Sequence, residues 1–271
     1  MRCMNAKPYV ALLIDIDTSY GRGVARGIIE YSHAHGPWRF YVHGGRPVIP
    51  LEEVDGWDGD GLIAFALSAE RRSAMRQKDV PVVNTSSEGK DAAIPTVCSD
   101  NAAIGVMGAT HFLERGFYHF GYCGRGGFAW SGERGDAFGD TVAAAGFECA
   151  QFQPEGSPRD MVEEEAPITE WLASLPKPAG VMTCNDMRGR QVIEICRRRD
   201  IPVPEHIAVL GTDNDDLMCE MSLPHLSSVV QSTRRIGYLA ARMLAEMMDG
   251  GAAPASPVLV PPERIETRQS T

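Results

Sequence analysis

Acidic and amide side chains crowd together after one apolar run in the second half of the chain. The decapeptide GTDNDDLMCE, residues 211–220, directly follows the run IAVL at 207–210. Side chains so rich in oxygen could bind a cation or a polar ligand, or they could simply be solvated. A calcium-binding EF-hand loop needs oxygen ligands at positions 1, 3, 5 and 12 and glycine at position 6. Counted from Asp213, positions 5, 6 and 12 are Leu217, Met218 and Pro224, so the segment is not an EF-hand loop.

The motifs for nucleotide binding, hydrolysis and zinc binding are absent from the sequence. Arg26 stands where a GxGxxG dinucleotide motif starting at Gly21 would need its last glycine. The sequence contains neither a GxxxxGK[ST] phosphate loop nor a GxSxG nucleophile elbow. It also lacks the HExxH and HxxxH spacings of zinc sites. We therefore predict no catalytic residues, no metal site and no cofactor, and we do not expect an enzyme.

Polar residues follow several predicted strands at their carboxyl ends, which is where ligands bind in open α/β sheets. Arg134 follows a glycine-rich loop and lies near Phe128 and Trp130 in the sequence. Carboxylates and arginine bind vicinal hydroxyls through charged hydrogen bonds, and an aromatic ring packs against the C–H face of a sugar. The pattern therefore favours a sugar-binding site. The residues at strand ends are Asp15, Asp17, Ser99, Asp100, Asn185, Asp186 and Asp213.

Helix capping is the alternative explanation for some of these residues. Asp100 and Asp186 immediately precede predicted helices, and aspartate is favoured at the N-cap because its carboxylate accepts hydrogen bonds from free backbone N–H groups. Capping does not account for Arg134 and Trp130 in the same neighbourhood. Both interpretations remain open at this point.

The composition is that of a soluble globular protein. Of 271 residues, 44% are apolar and 23% are charged, and no apolar stretch approaches the roughly 20 residues of a membrane-spanning helix. The N-terminus has no apolar region followed by a cleavage site, so we expect a cytoplasmic protein. The seven cysteines are scattered and include no CxxC pair, which indicates reduced thiols.

The net charge of −10 argues against DNA binding by this chain alone, because DNA-binding surfaces neutralise phosphates with clustered Lys and Arg. The one dense basic run, Arg197-Arg198-Arg199, lies at the end of a predicted helix. Cations are favoured there by the helix dipole, so this run is interpreted as a solvated helix end.

Short apolar runs alternate with helical patterns along the whole chain, which predicts parallel sheets covered by helices. Two series of this kind predict two doubly wound lobes with a cleft between them. The last helix has an apolar stripe of helical period and should face a core. The predicted strands are 9–16, 39–43, 61–65, 81–84, 96–98, 119–123, 147–152, 180–183 and 207–210, and the predicted helices are 19–35, 100–115, 133–145, 168–175, 186–199 and 236–247.

Several segments resemble lactose-repressor-type regulators. The segment DNAAIGVMGATHFLERGFYHFGYCG resembles their crossing between lobes, and ERGDAF resembles their sugar-contacting arginine motif. GVMTCND and IPVPEHIAVLGTDND resemble their later strands, and LSSVVQSTRRIGYLAARML resembles the return into the first lobe. The resemblance covers essentially the whole chain. It implies the α/β periplasmic-binding-protein-like fold of type I, in which two doubly wound lobes share a three-stranded hinge and close on a ligand. The implied lobes are residues 1–117 with 229–249, and 118–228 with 250–271.

Within that family, the segment from CNDMRGRQ to LSSVV and the C-terminal sequence VPPERIETRQST are most similar to the xylose operon regulators. In that group an AraC-type helix-turn-helix pair follows the sensor, whereas ordinary repressors carry their DNA-binding module before it. The resemblance implies that the chain is the sensor domain of a longer regulator that binds DNA through a module outside this sequence. It also implies a homodimer.

The resemblance assigns ligand-binding roles to residues at matching positions. It matches three of them to contacts with sugar hydroxyls and others to neighbouring positions, with Trp130 as a stacking plate. Two residues are placed only by the loop after the first strand. The full set is Arg134, Asp186 and Asp213 for the hydroxyl contacts, then Asn185, Asp100, Trp130 and Gln231, and finally Asp17 and Tyr20.

The resemblance therefore implies a sensor domain of a transcriptional regulator of sugar catabolism that responds to D-xylose or a related pentose. Binding would shift a conformational equilibrium and re-aim the attached DNA-binding modules. The alternative is a periplasmic sugar-binding protein of a transporter, which would require an export signal.

Overall fold

The structure is a computed structural model that describes residues 7–42, 56–65, 69–77, 79–88, 94–154 and 163–271. The chain divides into two compact units, residues 1–99 with 232–260 and residues 100–231 with 261–271. It passes from one unit to the other three times, at 99–100, 231–232 and 260–261, as the three-stranded hinge implies.

Strands and helices alternate through most of the described chain. Most of the predicted elements are present within a few residues of their predicted limits. His43, at the end of the predicted second strand, and Cys3 lie outside the described residues. In chain order the elements are β1 (Tyr9–Leu13), α1 (Ser19–His35), β2 (Arg39–Val42), β3 (Gly61–Ala64), α2 (Ala69–Arg76), β4 (Val82–Asn84), β5 (Val97–Ser99), α3 (Asn101–Glu114), β6 (Phe120–Cys123), α4 (Ala129–Ala144), β7 (Cys149–Phe152), α5 (Glu165–Ser174), β8 (Ala179–Thr183), α6 (Asp186–Arg198), β9 (Ile207–Thr212), α7 (Asp216–Glu220), β10 (Ser227–Val230), α8 (Thr233–Met248), β11 (Val258–Val260) and β12 (Arg264–Glu266).

The first unit contains a parallel sheet with strand order β2-β1-β3-β4, and β5 pairs with β11 in a second, two-stranded sheet. Helix α1 begins after Thr18, whose hydroxyl accepts a hydrogen bond from the Gly21 amide at 3.0 Å. The predicted apolar stripe of α8 is confirmed as a core face, because Ile236, Ala240 and Leu244 are fully buried in one cluster with residues of α1 and β1.

The second unit contains a six-stranded sheet with strand order β12-β10-β9-β8-β6-β7. All its pairings are parallel except that of β12 with β10. Successive side chains of a strand point to opposite faces, so this sheet supports two cores. In β9, Ala208 and Leu210 pack in a cluster with α3 and α4, while Ile207 and Val209 pack in a cluster with α5 and α6.

The boundaries of the two units differ from the predicted lobes at both ends of the second unit. Residues 100–117 belong to the second unit because Ile104 and Phe112 of α3 are fully buried in one cluster with Phe138 of α4. Residues 229–231 also belong there, since β10 (Ser227–Val230) pairs with β9 and Gln231 directly follows it. Conversely, residues 250–260 belong to the first unit because β11 pairs with β5.

Three further differences concern single elements. Helix α4 begins at Ala129 rather than at 133, so the helix includes Trp130 in its first turn. The short helices α2 and α7 and the strands β10, β11 and β12 were not among the elements predicted from periodicity. Within the described residues, none of the helices combines the length and the apolar character that a membrane crossing demands.

Candidate functional site

Asp186 is a buried acceptor at the start of α6. It is 1% exposed, and its two carboxylate oxygens accept different hydrogen bonds: Ser228 Oγ donates to Oδ1 at 2.5 Å and the Asp215 amide donates to Oδ2 at 2.7 Å. A carboxylate has about four lone-pair positions, so these two bonds leave capacity for further donors. Gly211 makes the position possible, since a Cβ atom there would lie 2.2 Å from Asp186 Oδ1.

Asp213 follows β9 in an unusual backbone conformation. Its φ is +117°, in a region that residues other than glycine rarely adopt, and the φ of Asn214 is +52°. The Asp213 amide donates to Val229 O at 3.0 Å, and Gln231 Nε2 donates to Asp213 Oδ1. Gln231, another candidate residue, is 5% exposed, so this bond joins two side chains at the carboxyl ends of neighbouring strands.

The two carboxyl groups affect each other's protonation. Burial raises the pKa of Asp213 to about 6, although the Arg134 charge and the Gln231 hydrogen bond act to lower it. Burial and repulsion from Asp213 raise the pKa of Asp186 well above its usual value, against the hydrogen bonds from Ser228 and the Asp215 amide. Hydroxyl donors from a ligand would stabilise the ionised form of both carboxyl groups and so lower their pKa values.

Arg134 lies on the second turn of α4 and is 5% exposed. Its Nε donates to Asn101 Oδ1 at 3.0 Å and its Nη1 donates to Cys184 O at 2.6 Å. The guanidinium carbon also lies 5.0 Å from the centre of the Trp130 ring. The two residues are four apart on one helix and therefore share a face. The helix start at Ala129 thus explains their juxtaposition.

Asp100 and Asn185 have capping roles. Asp100 Oδ1 accepts from the Ala103 amide at 2.9 Å at the start of α3, and Asn185 Oδ1 accepts from the Arg188 amide at 2.9 Å at the start of α6. The capping interpretation therefore describes Asp100. It is wrong for Asp186, which is the first residue of the helix and accepts bonds from outside it, because Asn185 occupies the N-cap.

Asp17 and Tyr20 belong to the first unit. Asp17 is exposed in the loop after β1, where its amide donates to Asp15 Oδ1 at 3.0 Å. Its carbonyl oxygen accepts from Arg22 Nη1 at 2.8 Å. The Tyr20 hydroxyl donates to Thr85 O at 2.7 Å, and the Tyr20 ring centre lies 5.4 Å from that of Phe65.

Sequence reasoning missed several residues that support these positions. Ser228 is fully buried and bonds to both Asp186 and the Asn214 amide, the latter at 3.0 Å. Asn101 is 2% exposed and joins Arg134 to Glu133 through a 2.9 Å bond from its Nδ2. The only sequence signal was their polar type within apolar or helical surroundings, which does not name a partner.

The remaining acidic residues of the decapeptide have simpler roles. Asp215 caps α7 by accepting from the Met218 amide at 3.2 Å, while Asp216 and Glu220 are exposed. Within the part of the chain that the structure describes, His, Cys, Asp and Glu nowhere form a group of three or more that could hold a metal ion. The six described cysteines are free thiols.

Comparisons with known proteins agree with this architecture. The family model for the periplasmic binding protein-like domain matches residues 109–271. The chain is 30% identical to the xylose operon regulatory protein of Escherichia coli (strain K12), over 97% of this chain and 69% of that protein. It is 29% identical to the protein of the same name from Haemophilus influenzae, over 97% of this chain and 70% of that protein.

A solved structure described as the xylose-binding transcription activator xylR is also similar. It superposes with a TM-score of 0.86 and 30% sequence identity, over 99% of this chain and 70% of that chain. The likeness therefore extends through both units. The chain belongs to the periplasmic-binding-protein-like family and, within it, to the family of xylose operon regulatory proteins.

Proposed function

We propose that this chain is the sugar-sensing part of a transcriptional regulator of sugar catabolism and that its effector is D-xylose or a related pentose. The observation that carries the proposal is the cluster of Asp186, Asp213, Arg134 and Trp130 in one unit. It combines two buried or partly buried carboxyl acceptors with a guanidinium held over an indole ring. The charged groups can hydrogen-bond to the hydroxyl groups of a sugar, and the indole ring can pack against its C–H face.

The names of the similar proteins support the same proposal. The relatives are called xylose operon regulatory proteins, and the similar solved structure is called xylose-binding. They are regulators, not enzymes, and their names do not favour the alternative of a periplasmic sugar carrier. A sensor that acts on transcription works beside DNA, so we place the protein in the cytoplasm.

In this proposal the residues of the second unit that bind the sugar are Arg134, Asp186 and Asp213 with Asn185, Asp100, Trp130 and Gln231. Asp17 and Tyr20, in the first unit, are proposed as ligand-binding residues on the resemblance alone. The sugar binds one of two conformations more tightly and shifts the equilibrium toward it. That shift changes the orientation of the helix-turn-helix modules through which a homodimeric regulator binds DNA.

A thermal-shift panel of pentoses and hexoses tests the sensing role. At a ligand concentration 100 times Kd, binding stabilises the native state by about 2.7 kcal/mol. For a chain of this size we expect Tm to rise by roughly 5–10 °C with D-xylose or another pentose. A panel in which no sugar raises Tm contradicts the proposal.

A further inference from the structure

The last residues of the chain are built into the sheet of the second unit. We call residues 267–271 the C-terminal segment. Ser270 in this segment is fully buried and bridges two strands: Val209 of β9 donates its amide to Ser270 O at 2.7 Å, and Ser227 of β10 donates its amide to Ser270 Oγ at 2.8 Å. Ser270 Oγ in turn donates to Val209 O at 2.6 Å. The C-terminal segment therefore has a fixed position relative to β9 and β10.

Arg268 reaches from this segment to the loop that carries Asp213. Its Nη2 donates to Asn214 Oδ1 at 2.8 Å and its Nη1 donates to Leu226 O at 2.9 Å. Its own amide donates to Ser227 Oγ at 2.8 Å. The guanidinium is thus anchored at one end to the start of β10, and its other nitrogen holds the Asn214 side chain.

Asn214 is a residue whose conformation needs such support. It and Asp213 both have positive φ, and such sparsely populated backbone conformations persist only where the surrounding structure imposes them. The Asn214 amide donates to Ser228 Oγ at 3.0 Å, and the same hydroxyl donates to Asp186. Asn214 thus links Arg268 to both carboxyl groups. Its amide bonds to Ser228, which bonds to Asp186, and its backbone is continuous with Asp213.

We propose that Arg268 is a positioning residue for the sugar site, which acts by holding Asn214 and thereby fixing Asp213 and Asp186 for hydroxyl-bearing ligands. The inference rests on the proposed sugar-binding function. Arg268 is not part of the set that the resemblance assigned, and it lies 54 residues from Asn214 in the sequence. By thermodynamic reciprocity, a bond that favours the sugar must itself be favoured by the sugar. Sugar binding therefore tightens the C-terminal segment.

The test compares Arg268→Met with Arg264→Met, using D-xylose as the probe. Methionine keeps the apolar part of the side chain and removes the guanidinium. Arg264 lies on β12 in the same part of the chain, is 58% exposed, and pairs only with its neighbours Glu263 and Glu266 among the described residues, so it is a matched control. We expect R268M to weaken D-xylose binding by roughly 5- to 20-fold, which is near the low end of the effect of a lost hydrogen bond to a charged group because Arg268 acts on the sugar through Asn214, and R264M to change it less than about 2-fold. Equal affinity for R268M and the wild type would overturn the proposal.

A double-mutant cycle distinguishes positioning from a general loss of stability. Asn214→Gly removes the acceptor of the Arg268 bond while glycine tolerates the positive φ. If Arg268 acts through Asn214, R268M in the N214G background should change the Kd for D-xylose by less than about 2-fold. A full R268M effect in that background would show that Arg268 acts by another route and would contradict the proposal. If R268M does not fold, N214G alone carries the test because it breaks the same bond from the other side.

Amide hydrogen exchange, measured first without ligand, tests the link between Arg268 and the loop separately from sugar binding. Without sugar, R268M should exchange faster than wild type at the amides of Asn214 and Asp215, and R264M should not. In the wild type, D-xylose should slow exchange at Gln269 and Ser270. If the wild type binds no sugar in the panel, the proposed function fails. The ligand-free comparison still decides whether Arg268 holds the loop: unchanged exchange at Asn214 and Asp215 overturns the link.

Discussion

The loop after β1 and the loop after β9 contain the same kinds of side chain, but different parts of the chain hold them. In the first loop Asp15 accepts from Asp17 and Thr18, partners within three residues, and Asp17 is exposed. In the second loop Asp215 also caps the following helix, but residues 213–215 have in addition bonds to partners that lie between 14 and 54 residues away. The first is a local turn at a helix start. The second is a junction where β9, β10, α6 and the C-terminal segment meet.

This difference shows that clustered carboxylates become a candidate binding site when distant elements bury and orient them. Both loops follow an inner strand with a parallel neighbour on each side, so strand-end position alone does not separate them. The second loop has two residues with positive φ and a neighbouring buried aspartate, whereas the first has none of these features among the described residues. The following experiments compare the two loops, in order of decreasing expected effect.

The largest effect is expected from Asp213→Ala. Loss of a charged acceptor should weaken D-xylose binding by about 1.5–3 kcal/mol, or roughly 10- to 150-fold in Kd, measured by titration calorimetry. The matched control is Asp216→Ala, three residues away and exposed, which should leave Kd unchanged. Wild-type affinity in D213A would remove Asp213 from the site and erase the distinction between the loops.

The second effect is a pH dependence of stability that belongs to Asp213. Its pKa is raised to about 6 in the folded state, above the value near 4 of an unfolded aspartate. The folded state therefore binds this proton more tightly. The resulting stabilisation is fully present below about pH 4 and is lost as the pH rises through about 6.

Asp213→Asn removes this dependence. The free energy of unfolding of D213N relative to wild type should therefore increase by about 1–3 kcal/mol between pH 4.5 and pH 7.5. Urea unfolding at several pH values measures the difference. The variant Asp17→Asn, in the first loop, serves as the comparison. If the difference in unfolding free energy between D213N and wild type does not change over this pH range, Asp213 is not held in a desolvated position.

A smaller effect is expected from Trp130→Ala. The change removes the aromatic face and the 5.0 Å contact with the Arg134 guanidinium, so sugar affinity should fall by about 0.5–1.5 kcal/mol. Trp130→Phe should recover most of it, because a ring face remains. If W130F binds as poorly as W130A, the indole contributes through something other than stacking.

The smallest effect is expected for the stability of Asp17→Asn. The side chain is exposed and the hydrogen bonds of this residue to Asp15 and Arg22 involve its backbone, so the free energy of unfolding should change by less than about 0.5 kcal/mol. Thermal or urea unfolding without ligand measures it. A loss above about 1 kcal/mol would mean that the first loop also depends on long-range contacts.

Much of the fold was predictable because it depends on local periodicity. The helix at Ser19–His35 was predicted with its observed limits, and the apolar stripe of the last helix identified its buried face. The errors have physical causes. The start of α4 was placed four residues late because no side chain caps it, as Phe128 occupies the N-cap without a side-chain hydrogen bond. The boundary between units was misplaced because the packing of Ile104 and Phe112 of α3 with Phe138 of α4 is a tertiary contact that periodicity does not reveal.

The candidate site was predictable only in part. Residue type and strand-end position selected Asp186, Asp213 and Arg134, and these are the residues that the second unit brings within electrostatic reach of one another. The roles within the set were less predictable. Asn185 rather than Asp186 is the N-cap of α6, and Ser228, Asn101 and Arg268 carried no signal beyond their polarity.

The sequence by itself determined the class of protein and the position of its polar residues along the chain. Three properties depend only on composition and on neighbours a few residues apart, and they can be read directly from the sequence. They are the strand–helix alternation, the net charge and the absence of catalytic motifs. Only the tertiary structure decided which aspartates are buried and which distant donors hold them. Burial and hydrogen-bond partners at separations of up to 54 residues depend on how β9, β10 and the C-terminal segment pack, and no local pattern encodes that packing.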